Sequence, residues 1–173
     1  LMSQNRWDEI QFDKLPSKAG FKYRNSFAKN DYTKERYEAF MKSKTTKVNA
    51  KTLFPYEVVK QAIHANWQDE LTCNTLEKYW ENLADYFNNA TFNALAVVDT
   101  SGSMCSGTAS ATPIDVAISL GMYCAEKANG PFKNHYISFS SKPQLIEING
   151  VNFVDKVQRI YQTNLCENTN IEA

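Results

Sequence analysis

The sequence predicts an α/β fold: an open sheet with helices packed on it, preceded by an α-helical segment. Three observations carry that prediction. An apolar, β-branched run, Phe92 to Val98, ends on Asp99 and has the length of a buried strand. A capped helix, two further strand patterns and a last helix follow it, in the order β, α, β, β, α. Ahead of them, apolar side chains recur at helical spacing. Residues 1–88 therefore read as a helical segment, basic over 14–51, and residues 89–173 as the start of an α/β domain.

Each element has a local reason. Asp31 is expected to N-cap a short helix through Lys42, with Tyr32, Arg36, Tyr37 and Phe40 along one face. Lys44 to Lys51 is polar and reads as a loop. Pro55 sits where a first helical turn tolerates it, and Val58, Val59, Ala62 and Ile63 continue that helix. Trp67 to Asn88 carries Leu71, Leu76, Tyr79, Trp80, Leu83, Tyr86 and Phe87, a second long amphipathic pattern with a break near Asn74. After the strand ending at Asp99, residues 100–111 are small and polar, a loop. Thr112-Pro113-Ile114-Asp115 is a helix start, with Asp115 reaching back to the Thr112 cap. That helix runs through Ala128 and stops at Asn129-Gly130. His135 to Ser140 and Gln144 to Ile148 read as strands. Asn149-Gly150 is a turn, and Phe153, Val154, Val157, Ile160 and Tyr161 follow at helical spacing.

Composition excludes several classes. The chain has 173 residues, 43% hydrophobic, 22% charged and 13% aromatic, which is globular and neither disordered, collagen-like nor low-complexity. Nineteen basic and nineteen acidic residues leave no net charge, so a wholly basic nucleic-acid protein is excluded. The longest apolar run, Ala94 to Val98, is far short of a membrane helix, and Leu1 to Arg6 carry no signal-peptide h-region. The first residue is not Met, so the sequence reads as a piece of a longer product. Cys73, Cys105, Cys124 and Cys166 match no zinc spacing and no disulfide framework. They are expected to be reduced thiols in an intracellular, cytoplasmic protein, with Cys105 a bystander.

The chemistry-bearing motif is Asp99-Thr100-Ser101-Gly102-Ser103, placed directly after the buried strand. Ligand sites in open α/β sheets lie at the carboxyl ends of strands. One carboxylate and two hydroxyls at every second position converge if the chain turns sharply, which Gly102 permits. Such hard oxygen donors suit a small hard cation such as Mg²⁺, which keeps several waters and needs no complete protein shell. The alternative is a strand-ending Asp that caps a Ser/Gly turn through backbone bonds and binds no metal.

These residues resemble the metal-ion-dependent adhesion site of von Willebrand factor A domains, whose pattern is Asp-x-Ser-x-Ser followed by a separate Thr and a separate Asp. Asp99, Ser101 and Ser103 match the first element, and Met104 matches its extended form. Thr169 looks like the separate Thr. The resemblance thus implies a Rossmann-like open sheet of von Willebrand A type, present here only in its N-terminal part, and a divalent cation on Asp99, Ser101, Ser103 and Thr169. A helical module joined to such a domain is similar to the TROVE family, whose Ro-type members bind small and misfolded RNAs. A closer likeness is an uncharacterised family of the same layout found in plants and large DNA viruses. It covers about Lys14 to Ala173.

Other features are weaker. Residues 14–51 hold eleven basic side chains against three acidic ones. Among them Lys18, Lys22, Arg24, Lys29, Lys34 and Arg36 alternate with Phe21, Tyr23, Phe27, Tyr32, Tyr37 and Phe40. Interleaved cations and aromatics suit structured or single-stranded RNA. The first reading remains a solvated helix face with inward aromatics. His64 and His135 read as ordinary histidines, and no nucleophile-base pair can be nominated from spacing. An aspartyl phosphotransferase would carry a second acid two residues after Asp99, where Ser101 stands, so catalysis is not expected. The sequence therefore points to a non-catalytic, divalent-metal-dependent binding module for an acidic group of a partner protein. RNA binding through the basic front, and a structural or particle component with a vestigial metal loop, are the alternatives. No membrane partner is expected.

Overall fold

The structure is a computed structural model and describes residues 2–87, 90–106, 111–163 and 165. Along them run α1 (Ser17–Lys29), α2 (Lys34–Lys42), α3 (Pro55–Ile63), α4 (Glu70–Glu81), β1 (Ala96–Asp99), α5 (Pro113–Lys127), β2 (His135–Phe139), β3 (Gln144–Glu147) and α6 (Phe153–Tyr161). They pack as two units: Leu1–Phe54 with Asn66–Ala84, and Pro55–Ala65 with Asp85–Ala173.

The first unit is helical. α2 packs on α1 and α4 around an aromatic core. Phe12, Phe27 and Tyr37 meet at centroid distances of 5.1–5.7 Å, and Phe21 meets Tyr79 edge-on at 5.0 Å. Ala50 and Leu83 form an isolated parallel bridge. α2 begins later than Asp31 because the chain turns there first. Asn30 Oδ1 accepts the Tyr32 N–H, and the buried Thr33 hydroxyl donates to the Phe27 carbonyl at 2.8 Å. α4 ends at Glu81, short of Asn88. Asn82 turns its side-chain amide onto the Lys78 carbonyl at 2.8 Å. Tyr86 and Phe87 instead join rings of the second unit, packing against Tyr123 at 5.7 and 5.9 Å.

The second unit is the expected α/β arrangement. β1 pairs parallel with β2, from Ala96↔Tyr136 to Asp99↔Phe139, and β2 pairs antiparallel with β3. The parallel pair needs a crossover, supplied by α5, whereas a short turn suffices between β2 and β3. The α5 start is a capping box: Thr112 Oγ1 accepts the Asp115 N–H and Asp115 Oδ2 accepts the Thr112 N–H. α5 packs on β1 and β2. Its seat is tight: a Cβ on Gly121 would lie 2.4 Å from Val98 Cγ2. α3 packs against α5 and α6, so it belongs to the sheet unit although it precedes the sheet in sequence. Gln158 of α6 holds the end of α3, donating to the carbonyls of Ala62 at 3.1 Å and Ala65 at 2.7 Å. On the sheet face away from the buried Val98 and Tyr136, Val97 and Leu145 are 64% and 55% exposed.

Candidate metal centre

Asp99 is the last residue of β1, and three features set the loop after it. Thr100 is fully buried; its N–H and hydroxyl both reach the Phe139 carbonyl, at 3.0 and 3.3 Å, tying the loop to the end of β2. Asp99 Oδ1 accepts the Ser101 N–H at 2.9 Å, which turns the carboxylate toward the loop. Gly102–Cys105 then forms a 3-10 turn, closed by Met104 N–H to the Ser101 carbonyl at 3.0 Å. The result brings the Ser101 and Ser103 hydroxyl oxygens within 3.2 Å of each other, beside that carboxylate.

The loop thus assembles Asp99, Ser101 and Ser103. Ser101 is buried, whereas Asp99 and Ser103 are exposed, so the donor cluster opens outward. Its donor set, one carboxylate and two hydroxyls, is the hard-oxygen chemistry that Mg²⁺ accepts. Among the described residues no three His, Cys, Asp or Glu side chains gather as a metal cluster, so any cation here depends on the hydroxyls. Thr169 lies outside the described residues, as does Cys166. One thiol expectation is corrected: Cys105, at the end of the 3-10 turn of this loop, is disulfide-bonded, while Cys73 and Cys124 are free.

Five of the six cations of the front are exposed, and Arg24 is half-buried. Lys18, Lys22 and Lys29 are exposed along one side of α1, and Lys34 is exposed at the start of α2. Arg24 and Arg36 instead serve the fold: Arg24 Nη1 donates to the Phe21 carbonyl at 2.7 Å, and Arg36 donates to the carbonyls of Asp8 and Ile10 at 2.7 and 2.9 Å. Of the interleaved aromatics, Phe21, Phe27 and Tyr37 are buried, whereas Tyr23 and Tyr32 are exposed.

Two polar arrangements escaped the sequence reading. The buried Lys78 ammonium donates to the Ser43 carbonyl and to the Thr46 carbonyl and hydroxyl, the last two at 3.0 and 3.1 Å. Burial pushes its pKa down, with Glu81 opposing. Asp115, beyond its cap role, accepts the Tyr161 hydroxyl at 2.8 Å and so ties α5 to α6. Neither has a sequence signal, because the partners lie far along the chain.

Residues 1–91 match the family described as a domain of unknown function, DUF2828. The chain belongs to the DUF2828 family. In this DUF2828 protein the match covers α1 to α4, and the loop after Asp99 lies in a second match, to a domain of unknown function called DUF7788, over residues 93–173. The DUF2828 chain is also similar to the uncharacterized protein L728 of Acanthamoeba polyphaga mimivirus, 35% identical over 174 residues. That alignment covers 91% of this chain and 29% of the relative, so the chain spans under a third of the relative's length. No solved structure matches the chain. Among the described residues, no helix is long and apolar enough to cross a membrane.

Proposed function

We propose that the loop after β1 holds a divalent cation through which the protein binds an acidic group of a partner protein, without catalysis. The observation that carries this reading is a loop at the carboxyl end of a parallel strand in which two hydroxyls touch and the strand-ending carboxylate bonds the Ser101 N–H. The two hydroxyl oxygens lie 3.2 Å apart, with the carboxylate turned in by a 2.9 Å bond. Asp99, Ser101 and Ser103 would hold the cation, with Thr169 as the separate ligand that the von Willebrand A resemblance implies, directly or through water. One carboxylate leaves part of a 2+ charge uncompensated, so an incoming carboxylate is attracted to the open coordination positions. The β1–α5–β2 crossover supports a von Willebrand A-type domain, and Ser101 at the position of a second acid supports a binding rather than catalytic role. The free thiols of Cys73 and Cys124 support an intracellular, cytoplasmic setting, against which the Cys105 disulfide counts.

The Asp99 turn is also what a plain loop cap would use, so metal dependence decides between them. Titration of the full chain with Mg²⁺, followed by thermal unfolding, is expected to raise the melting temperature saturably. Asp99→Ala and the double change Ser101→Ala, Ser103→Ala should abolish that rise. A wild-type chain indifferent to Mg²⁺, or an Asp99→Ala chain that responds like wild type, overturns the proposal and leaves the vestigial loop.

The second reading is RNA binding by the front. It is favoured by Lys18, Lys22 and Lys29 on one side of α1 near the exposed Tyr23, and weakened by the structural duties of Arg24 and Arg36. It requires affinity that falls steeply with salt, with a smaller slope after neutralising those lysines.

A further inference from the structure

A cavity of about 230 Å³ in the helical unit is lined by residues of α1, α2 and the start of α4. Its polar lining is Arg24, Asn25, Lys29, Tyr37, Asp69, Thr72 and Thr75. Tyr37 is 1% exposed, and its hydroxyl has no hydrogen-bond partner. The Thr75 hydroxyl acts on it but does not complete hydrogen-bond geometry. A buried hydroxyl left unmatched is costly, and native structures rarely keep one without a ligand or water to meet it.

The lining says what would meet it. Arg24, Lys29, the Asn25 amide and the Tyr37 hydroxyl are donors. The opposing carboxylate, Asp69, already accepts the Thr72 hydroxyl at 2.5 Å. Two cations against one occupied acid favour an oxyanion. The space lies below the roughly 300–1,000 Å³ of pockets that hold drug-sized molecules, so it suits a compact group. We propose that this cavity binds a phosphate group, with Tyr37 donating to a phosphate oxygen and Arg24 and Lys29 balancing its charge. The site is in a different unit from the metal loop and does not depend on it.

The cation character of Arg24 agrees with this. Burial lowers its pKa, and the neighbouring phenols of Tyr37 and Tyr79 act on it, so an anion in the cavity would relieve the desolvated guanidinium.

The test is calorimetric titration of the full chain with inorganic phosphate, against chloride at matched ionic strength. Saturable binding is expected. Tyr37→Phe should weaken it by about tenfold or more without lowering the melting temperature, because the ring is kept and only an unmatched hydroxyl is lost. Lys29→Ala, a change at an exposed position where stability is expected to move little, should weaken it severalfold. A short oligoribonucleotide that displaces phosphate, and is itself weakened by Tyr37→Phe, identifies a nucleic-acid phosphate as the source; failure to displace it identifies free phosphate. Absence of saturable phosphate binding overturns the proposal, as does a Tyr37→Phe chain that binds phosphate like wild type.

Discussion

Lys78 turns its ammonium away from water onto three oxygens of the loop after α2. Lysine carries three donors and no acceptor, so this arrangement uses the whole group. It also covers the Phe40 ring, 5.8 Å away. Lys78→Met keeps the stem and removes the donors, leaving the Ser43 and Thr46 carbonyls to find water. Loss of such bonds costs about 1–3 kcal/mol. The urea midpoint of the variant should fall accordingly; a midpoint equal to wild type would mean the loop needs no pin. Lys78 and Tyr37 make the same point about legibility. Both sit on helix patterns visible in the sequence, yet nothing local says that one would be satisfied by a distant loop and the other left unmatched.

At the scale of elements, α5 is the crossover that lets β1 run parallel to β2 and packs on both strands. Its beginning was readable from Thr112, Pro113 and Asp115, whose capping bonds involve only near neighbours. Its seat on the sheet was not readable, because it depends on Gly121 meeting Val98. Gly121→Ala puts a methyl 2.4 Å from a β-branched side chain with few rotamers. Overpacking at about 1–3 kcal/mol outweighs the roughly 1 kcal/mol that alanine gains over glycine in a helix. The variant should therefore unfold at lower denaturant. Adding Val98→Ala should recover part of the loss through the space it opens, a coupling that a double-mutant cycle measures. Independent, additive effects would refute the contact. The end of α4 diverged from the pattern for a related reason: Tyr86 answers to Tyr123, a tertiary partner about which periodicity carries no information, whereas α2 starts late because of the local turn at Asn30 to Thr33.

At the scale of the molecule, the family match over residues 1–91 runs through α3, yet α3 packs with α5 and α6. Val58, Val59 and Ala62 are fully buried on it. A chain begun at residue 85 lacks that cover and should bind a hydrophobic dye and lose near-ultraviolet circular dichroism while keeping helical signal. A fragment unfolding as cooperatively as the full chain would show that α3 is dispensable. The sequence by itself determined the helical front, the β, α, β, β, α order and the Asp-x-Ser-x-Ser loop after a strand, since each rests on spacing and capping within a few residues. Only the tertiary structure decided that α3 joins the sheet unit, that Arg36 serves the distant carbonyls of Asp8 and Ile10, and that Tyr37 faces a cavity unmatched. Those outcomes depend on which distant groups meet, and that is settled when buried surfaces pack together and every desolvated polar atom must find a partner or go without.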